Sequence, residues 1–168
     1  MIINPALLTK ILNIRDQKGF GCGEDNPVGL KMHFLTDEER IYSQVTVPPA
    51  MAGWDQTVHG GIISTIMDEI MGRAVIHLVR KIAVTKSIAV DFIKPLYVGR
   101  ILSAVSFSRE MQSERQVLVT GELYSEEDAL CAKATGTFAA MSPESAVRLG
   151  VMSSEYMQEF MSIRNQDG

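Results

Sequence analysis

The segment TVHGGIISTIMDEIMG, residues 57–72, brings together a histidine, two glycines and an aspartate at a spacing that could support catalysis. Glycines at the start of a helix leave backbone N–H groups uncovered by side chains. With the positive end of the helix dipole, these groups can polarise a carbonyl or bind an oxyanion. Gly60 and Gly61 fit this role, and Asp68 could act as a base or a nucleophile. The structural alternative is that the glycines allow close packing and Asp68 makes a buried hydrogen bond, since HGG alone is a weak signal.

Apolar periodicity predicts that this segment belongs to a buried helix running from His59 to about Arg80. At about 100° per residue, small side chains and Asp68 fall on one stripe beside a broad apolar arc. Small residues on a buried helix leave a groove that a ligand or another backbone can occupy. The stripe consists of Gly61, Ser64, Thr65, Asp68 and Gly72.

The spacing of the two candidate groups constrains how they could meet. Gly60 and Asp68 are eight residues apart, which is about 12 Å along a helix. One reacting carbonyl cannot lie about 3 Å from both groups in the same chain. If both take part, they must come from different subunits, which predicts a composite site between antiparallel helices of a homodimer.

Periodicity also predicts the elements that position this helix. Helical spacing of apolar residues predicts an N-terminal helix over residues 5–17, and polar and helical pieces alternate in the tail from Pro143. Alternation predicts strands over residues 30–34, 41–47, 84–93, 100–110, 116–125 and 129–141. Strands that follow one another with short loops pair antiparallel. The expected fold is therefore α+β, with a curved antiparallel sheet around one central helix, in a single domain over residues 1–168 with its core at about 21–141.

Composition excludes several classes of protein. With 46% apolar and 21% charged residues and a net charge of −4, the 168 residues resemble a soluble globular domain and not a nucleic-acid binder. No segment is apolar enough for a membrane, and the N-terminus lacks a signal-peptide pattern. Cys22 and Cys131 form neither a CxxC pair nor a metal-ligand cluster, so no metal site is expected and a reducing cytoplasm is favoured.

The chain resembles hotdog-fold acyl-CoA thioesterases of the phenylacetate-degradation (PaaI-like) type. Those proteins carry HGG at the start of the central helix and an acid nine residues after the histidine, here His59 and Asp68. The segment GCGEDNPVGL, residues 21–30, and the strand VDFIKPLYVG, residues 90–99, are also similar to segments of this family. The resemblance covers roughly residues 21–141.

The resemblance implies hydrolysis of an acyl-CoA or related acyl thioester to a free acid and a thiol. Asp68 matches the catalytic carboxylate, the Gly60 N–H matches the group that polarises the carbonyl, and His59 orients the loop or substrate. Thr85, ten residues before Pro95, matches a Ser/Thr that helps to position the attacking water near the acid of its own subunit. No cofactor is implied, since coenzyme A is part of the substrate, and the assembly would be a homodimer or a homotetramer built as a dimer of dimers.

Four further residues are candidates for substrate binding: Gly61, Gln56, Trp54 and Thr65. Several relatives carry Asn or Gln six residues before the histidine, where this chain has Gly53. Gln56 substitutes for that amide, or the chemistry relies on backbone groups alone. Trp54 lines an acyl pocket or anchors its loop.

Two neighbouring residues receive structural interpretations, and two other activities stay open. Glu69 points about 100° away from Asp68 and is expected to be a structural acid near Arg73, while Cys22 is expected to be a packed thiol without a partner. The first alternative activity is a non-catalytic acyl-CoA-binding or regulatory hotdog domain. The second is a hotdog dehydratase, for which no Asp/His hydratase pattern is present.

Overall fold

The computed structural model describes residues 3, 5–13 and 18–164 of the chain. Its strands are β1 (Thr9–Ile11), β2 (Phe34–Thr36), β3 (Ile41–Thr46), β4 (Ile82–Phe92), β5 (Ile101–Ser113), β6 (Gln116–Tyr124) and β7 (Leu130–Met141). Its helices are α1 (Gly60–Ala74), which continues as a π-helical turn (Val75–Val79), α2 (Pro143–Arg148) and α3 (Ser154–Arg164).

One antiparallel sheet holds all seven strands in the order β1-β2-β3-β5-β6-β7-β4. The sheet covers α1, which contacts β3, β4, β5, β6 and β7. Ile66, Met67, Ile70 and Met71 of α1 are fully buried in the main core, because these positions recur on one side of a helix. The predicted α+β fold, a curved antiparallel sheet around one central helix, is confirmed.

Helix α1 begins and ends where local chemistry requires it. His59 is the N-cap residue, with extended backbone and a side chain that accepts a hydrogen bond from the Gly61 N–H. The helical backbone stops at Arg80, which adopts the left-handed conformation at φ 62°. The predicted span from His59 to about Arg80 is confirmed, with its last five residues wound as a π-helix.

The predicted N-terminal helix is wrong in the part that the structure describes. Residues 5–7 form one 3₁₀ turn and residues 9–11 form β1, which pairs with β2; residues 14–17 lie outside the described residues. Leu7, expected on the apolar face, is 79% exposed, whereas Ile11 is buried in the main core. Pairing with β2 therefore overrides a short helical pattern that lacked a stable nucleus.

The strand predicted at residues 30–34 begins only at Phe34. Lys31 has φ 51°, outside the extended region, so the ladder cannot start there. Instead, Leu30 N–H donates to the Phe20 carbonyl and Met32 N–H donates to the Gly21 carbonyl, both at 2.9 Å. The apolar alternation was a correct guide to burial, but these residues pair with the glycine-rich loop before them.

The C-terminal helices pack over one end of the sheet and form a second, smaller core. Ala146 of α2 and Met157 and Phe160 of α3 are buried with Ile82, the first residue of β4. The expected tail of short helical pieces is confirmed, and the last four residues lie outside the described residues. Among the described helices, none combines the length and apolar character that crossing a membrane would require.

Candidate active site

Asp68 and Thr85 are brought into direct contact by the packing of α1 against β4. The Thr85 hydroxyl donates a hydrogen bond to Asp68 Oδ1 over 2.6 Å. The β4–β7 register shifts between Thr85 and Ser87, so an extra residue bulges out of β4 next to this contact. Bulges re-aim neighbouring side chains, and this one lies where Thr85 reaches the helix.

A cavity of about 200 Å³ opens beside this pair. The stripe of small residues on α1 contributes to it, since Gly72 lines it one turn beyond Asp68. The lining residues with polar side chains on α1, on β4 and in the loop before β2 are Cys22, Asp68, Glu69, Arg73 and Thr85. Of the predicted stripe, only Asp68 and Gly72 line this cavity, whereas Gly61, Ser64 and Thr65 do not.

The start of α1 presents a different set of groups. His59 Nδ1 accepts the Gly61 N–H at 2.9 Å, so this nitrogen carries no proton and its lone pair is occupied. Gly60 is the first helical residue, and its N–H has no acceptor within the helix. His59 therefore caps the helix through the Gly61 N–H. The Gly60 N–H is the backbone donor of this pair that can bind a ligand.

Thr65 and Ser64 are tied to the helix backbone. The Thr65 hydroxyl donates to the Gly61 carbonyl and the Ser64 hydroxyl donates to the Gly60 carbonyl, both over 2.9 Å. Such bonds hold the side chains against the first turn of α1. The Thr65 side chain is therefore placed near the helix start, and its role in substrate binding stays a prediction.

Trp54 and Gln56 lie on the loop before α1 and do not line the Asp68 cavity. Trp54 is 88% exposed, so it does not anchor its loop within this chain. Gln56 is exposed and borders another cavity, of about 510 Å³, together with Lys94 and Arg100. A side chain at Gly53 would be crowded, because its Cβ would lie 3.2 Å from the His59 Cα and the backbone would have to shift slightly.

A cluster around Glu69 was only partly predicted from the sequence. The Cys22 thiol hydrogen-bonds Glu69 and lies 3.4 Å from an Arg73 guanidinium nitrogen, so the expectation that Cys22 has no partner is wrong. Arg73 also donates to Asn13 Oδ1 and stacks over the Phe34 ring, 4.5 Å from its centroid. The expected structural role of Glu69 near Arg73 agrees with this packing. The one sequence feature that pointed to this cluster is the glycine at position 21. Any larger residue there would clash with Glu69, since its Cβ would lie 2.1 Å from Glu69 Cδ.

Burial makes the Glu69 carboxyl sensitive to pH. Loss of solvation raises its pKa above the usual value, the Arg73 charge opposes this rise, and the Asp68 charge adds to it. A raised pKa in the folded state means that the folded protein binds the proton more tightly than the unfolded chain. The fold therefore loses stability as the pH rises from the unfolded pKa through the folded pKa.

We expect Glu69→Gln to remove this dependence, because glutamine keeps the shape and cannot ionise. As the pH rises from about 4.5 towards neutrality, the Tm of the variant should increase relative to the Tm of the wild type. Thermal unfolding across this range tests it, with Glu159→Gln on the exposed side of α3 as the matched control. Parallel Tm curves for the wild type and Glu69→Gln would contradict the account.

Residues 55–132 match the family model described as the Thioesterase superfamily. Among solved structures, a thioesterase superfamily protein matches with a TM-score of 0.66 and 17% identity over 73% of this chain, and the chain covers 60% of that longer protein. The E. coli PaaI protein from the phenylacetic acid degradation operon matches with a TM-score of 0.60 and 19% identity, over 67% of this chain and 81% of PaaI.

A hypothetical thioesterase from Streptococcus pneumoniae, solved with coenzyme A, matches with a TM-score of 0.58 and 20% identity, over 62% of this chain and 80% of that one. No curated protein matches the chain. At these identities the structural matches establish the fold, and the family model adds a similarity in sequence over residues 55–132. The chain therefore has the hotdog fold of these thioesterases, and residues 55–132 resemble the thioesterase superfamily, in agreement with the PaaI-like resemblance of its motifs.

Proposed function

We propose that this protein is a thioesterase that hydrolyses acyl-CoA, or a related acyl thioester, to a free acid and a thiol. The observation that carries the proposal is the 2.6 Å hydrogen bond from Thr85 to Asp68 at the edge of a cavity. A buried structural aspartate would have no need of an adjoining cavity, whereas a catalytic one must meet substrate and water. No cofactor enters the proposal, and coenzyme A takes part as the leaving group of the substrate.

The chemistry follows from the groups at hand. Thr85 holds Oδ1 of Asp68, which leaves Oδ2 free either to take a proton from an attacking water or to attack the thioester carbonyl itself. As the carbonyl carbon becomes tetrahedral, negative charge develops on its oxygen, and the Gly60 N–H with the helix dipole stabilises that charge. If water attacks, the C–S bond then breaks to give the carboxylic acid, and the departing sulfur takes up the proton that Asp68 removed from the water. If Asp68 attacks, C–S cleavage leaves an acyl-aspartyl anhydride, which water hydrolyses to the carboxylic acid and the free Asp68 carboxylate while the sulfur gains a proton from water.

The edge of the sheet supports assembly into a homodimer. Strand β4 has eleven residues, pairs only with β7 among the described strands, and exposes Val84 and Phe92. Long uncovered edges favour pairing with another strand. Pairing β4 with β4 of a second copy about a two-fold axis would place two α1 helices antiparallel, and the Gly60 of one would approach the Asp68 of the other. Phe92 already lies 3.5 Å from the position of a Gly60 Cβ, so the helix start is next to this edge.

A mixed dimer tests whether two subunits build one site. Asp68→Asn lacks the carboxylate, and Gly60→Pro lacks the N–H, so each homodimer should be inactive. A heterodimer purified through two different tags has one site with both groups intact and one with neither. We expect it to recover about half of the wild-type activity. A heterodimer as inactive as its parents would place both groups in one chain and refute the composite site.

Thiol release from a panel of acyl-CoAs tests the activity itself. Wild-type protein should release free coenzyme A from at least one class among short, medium, long and aromatic acyl-CoAs. Calorimetry on the same panel separates the alternative, a non-catalytic acyl-CoA-binding domain. Binding without thiol release would favour that alternative and overturn the enzymatic proposal.

A further inference from the structure

The Asp68 cavity has a second wall that the family match does not include. Three residues of the C-terminal segment, Met152, Tyr156 and Phe160, line the same 200 Å³ space as Asp68 and Thr85. Residues 143–164 form α2 and α3 and lie beyond the matched residues 55–132. This chain thus adds a helix to the lining of the cavity that holds its candidate catalytic carboxylate.

Helix α3 is held in place by packing. Met157 and Phe160 are buried, at 6% and 8% exposure, against Ile82 of β4 and Ala146 of α2. Phe160 also reaches the cavity, and Tyr156 lies one turn before it on the same side of α3. Ile82 is the first residue of β4, the strand that carries Thr85, so α3 packs directly against this strand. The wall is therefore a fixed boundary of the cavity.

The lining combines this mostly apolar wall with polar and charged residues of α1 and β4. Ile76, Ala83 and Phe138 complete the apolar lining together with Met152 and Phe160. An acyl group prefers such a surface, while the thioester belongs near Asp68. The arrangement suits a substrate whose carbonyl lies at the carboxylate and whose hydrocarbon part points to the apolar wall.

The size of the space limits what can enter. A dry apolar cavity of about 150 Å³ holds one benzene molecule, and the cavity here measures about 200 Å³. A single aromatic ring or a short acyl chain fits within this volume, whereas a long chain directed towards α3 would have to displace Tyr156 or Phe160. Because these side chains belong to a packed helix, that displacement costs free energy.

We propose that α3 forms the floor of the acyl subsite and restricts the enzyme to short or single-ring acyl thioesters, with Tyr156 and Phe160 as the residues that set the limit. This inference rests on the proposed thioesterase function. It assigns to Tyr156 and Phe160 a role in specificity, since neither reaches the reacting atoms.

The test compares acyl-length profiles of the wild type and Tyr156→Ala. We expect the wild type to prefer butanoyl-CoA, hexanoyl-CoA and phenylacetyl-CoA over dodecanoyl-CoA in kcat/KM. Tyr156→Ala should raise the ratio of dodecanoyl-CoA to butanoyl-CoA by roughly tenfold or more, since each methylene accommodated in an apolar pocket is worth about that factor. Gln158→Ala, exposed on the same helix, should keep the wild-type profile. Met152→Ala provides a second enlargement outside the buried core of α3, so the test does not depend on one variant folding.

Binding of non-hydrolysable S-alkyl-CoA thioethers separates this inference from the proposed function. The proposed role of α3 is supported if the wild type binds long S-alkyl groups more weakly than short ones and if Tyr156→Ala and Met152→Ala reduce this difference in Kd. This result would count even if no thioester is hydrolysed. Turnover with a length profile unchanged in both variants overturns the floor and leaves the thioesterase proposal standing. A wild type that favours dodecanoyl over butanoyl groups in both assays also overturns the floor.

Discussion

Asp68→Asn should lower kcat for thioester hydrolysis by about 10²–10⁴-fold while the protein stays folded and binds its ligand. Asparagine has the shape of aspartate and keeps an oxygen that can accept the hydrogen bond donated by Thr85. It can neither take a proton from water nor attack a carbonyl. The variant therefore removes the chemistry and preserves the contact between α1 and β4.

The measurements are kcat and KM from thiol release, Tm, and the Kd of a non-hydrolysable acyl-CoA analogue. Asp25→Asn is the matched control, since Asp25 is exposed in the loop before β2 and the same atoms change. We expect the control to match the wild type in all four quantities. A folded Asp68→Asn protein with wild-type kcat would show that this carboxylate does not perform the reaction.

The sequence predicted the central helix that carries the candidate site, because the signals for this helix are local. The apolar positions of α1 recur with helical spacing over fifteen residues, so the helix and its buried face could be predicted. The contact between Asp68 and Thr85 was available through the resemblance, and the structure brings the two side chains together over 2.6 Å. The position of Gly60 at the helix start followed from its place after His59.

Features that depend on distant contacts escaped prediction. Arg73 meets Cys22 across 51 positions in sequence, and no periodic pattern reports such a pair. The docking of α3 against Ile82 depends on how the whole sheet curves, although the helix itself was expected. At the N-terminus, the apolar spacing was real, but residues 9–11 pair with β2 of the sheet, whereas a short isolated helix is only marginally stable in water.

Gly60→Pro should lower kcat/KM by about 10²–10³-fold, whereas Gly60→Ala should remain close to the wild type. Gly60 is the first residue of α1, a position where proline is well tolerated because its N–H has no partner within the helix. The preceding residue, His59, has φ −61° and ψ 136°, the extended conformation that a following proline requires. Proline thus deletes one N–H without disturbing the helix.

Alanine at the same position is the matched control, because it adds a Cβ and retains the N–H. That Cβ would lie 3.5 Å from the Phe92 ring, an ordinary contact. Equal losses in both variants would mean that space at Gly60 matters and its N–H does not, and undiminished activity in both would exclude this amide altogether. The Gly61 N–H cannot replace it, since His59 Nδ1 already accepts that donor at 2.9 Å. The capping histidine therefore leaves Gly60 as the amide of this pair that can meet a developing oxyanion, and the Pro/Ala comparison measures its contribution directly.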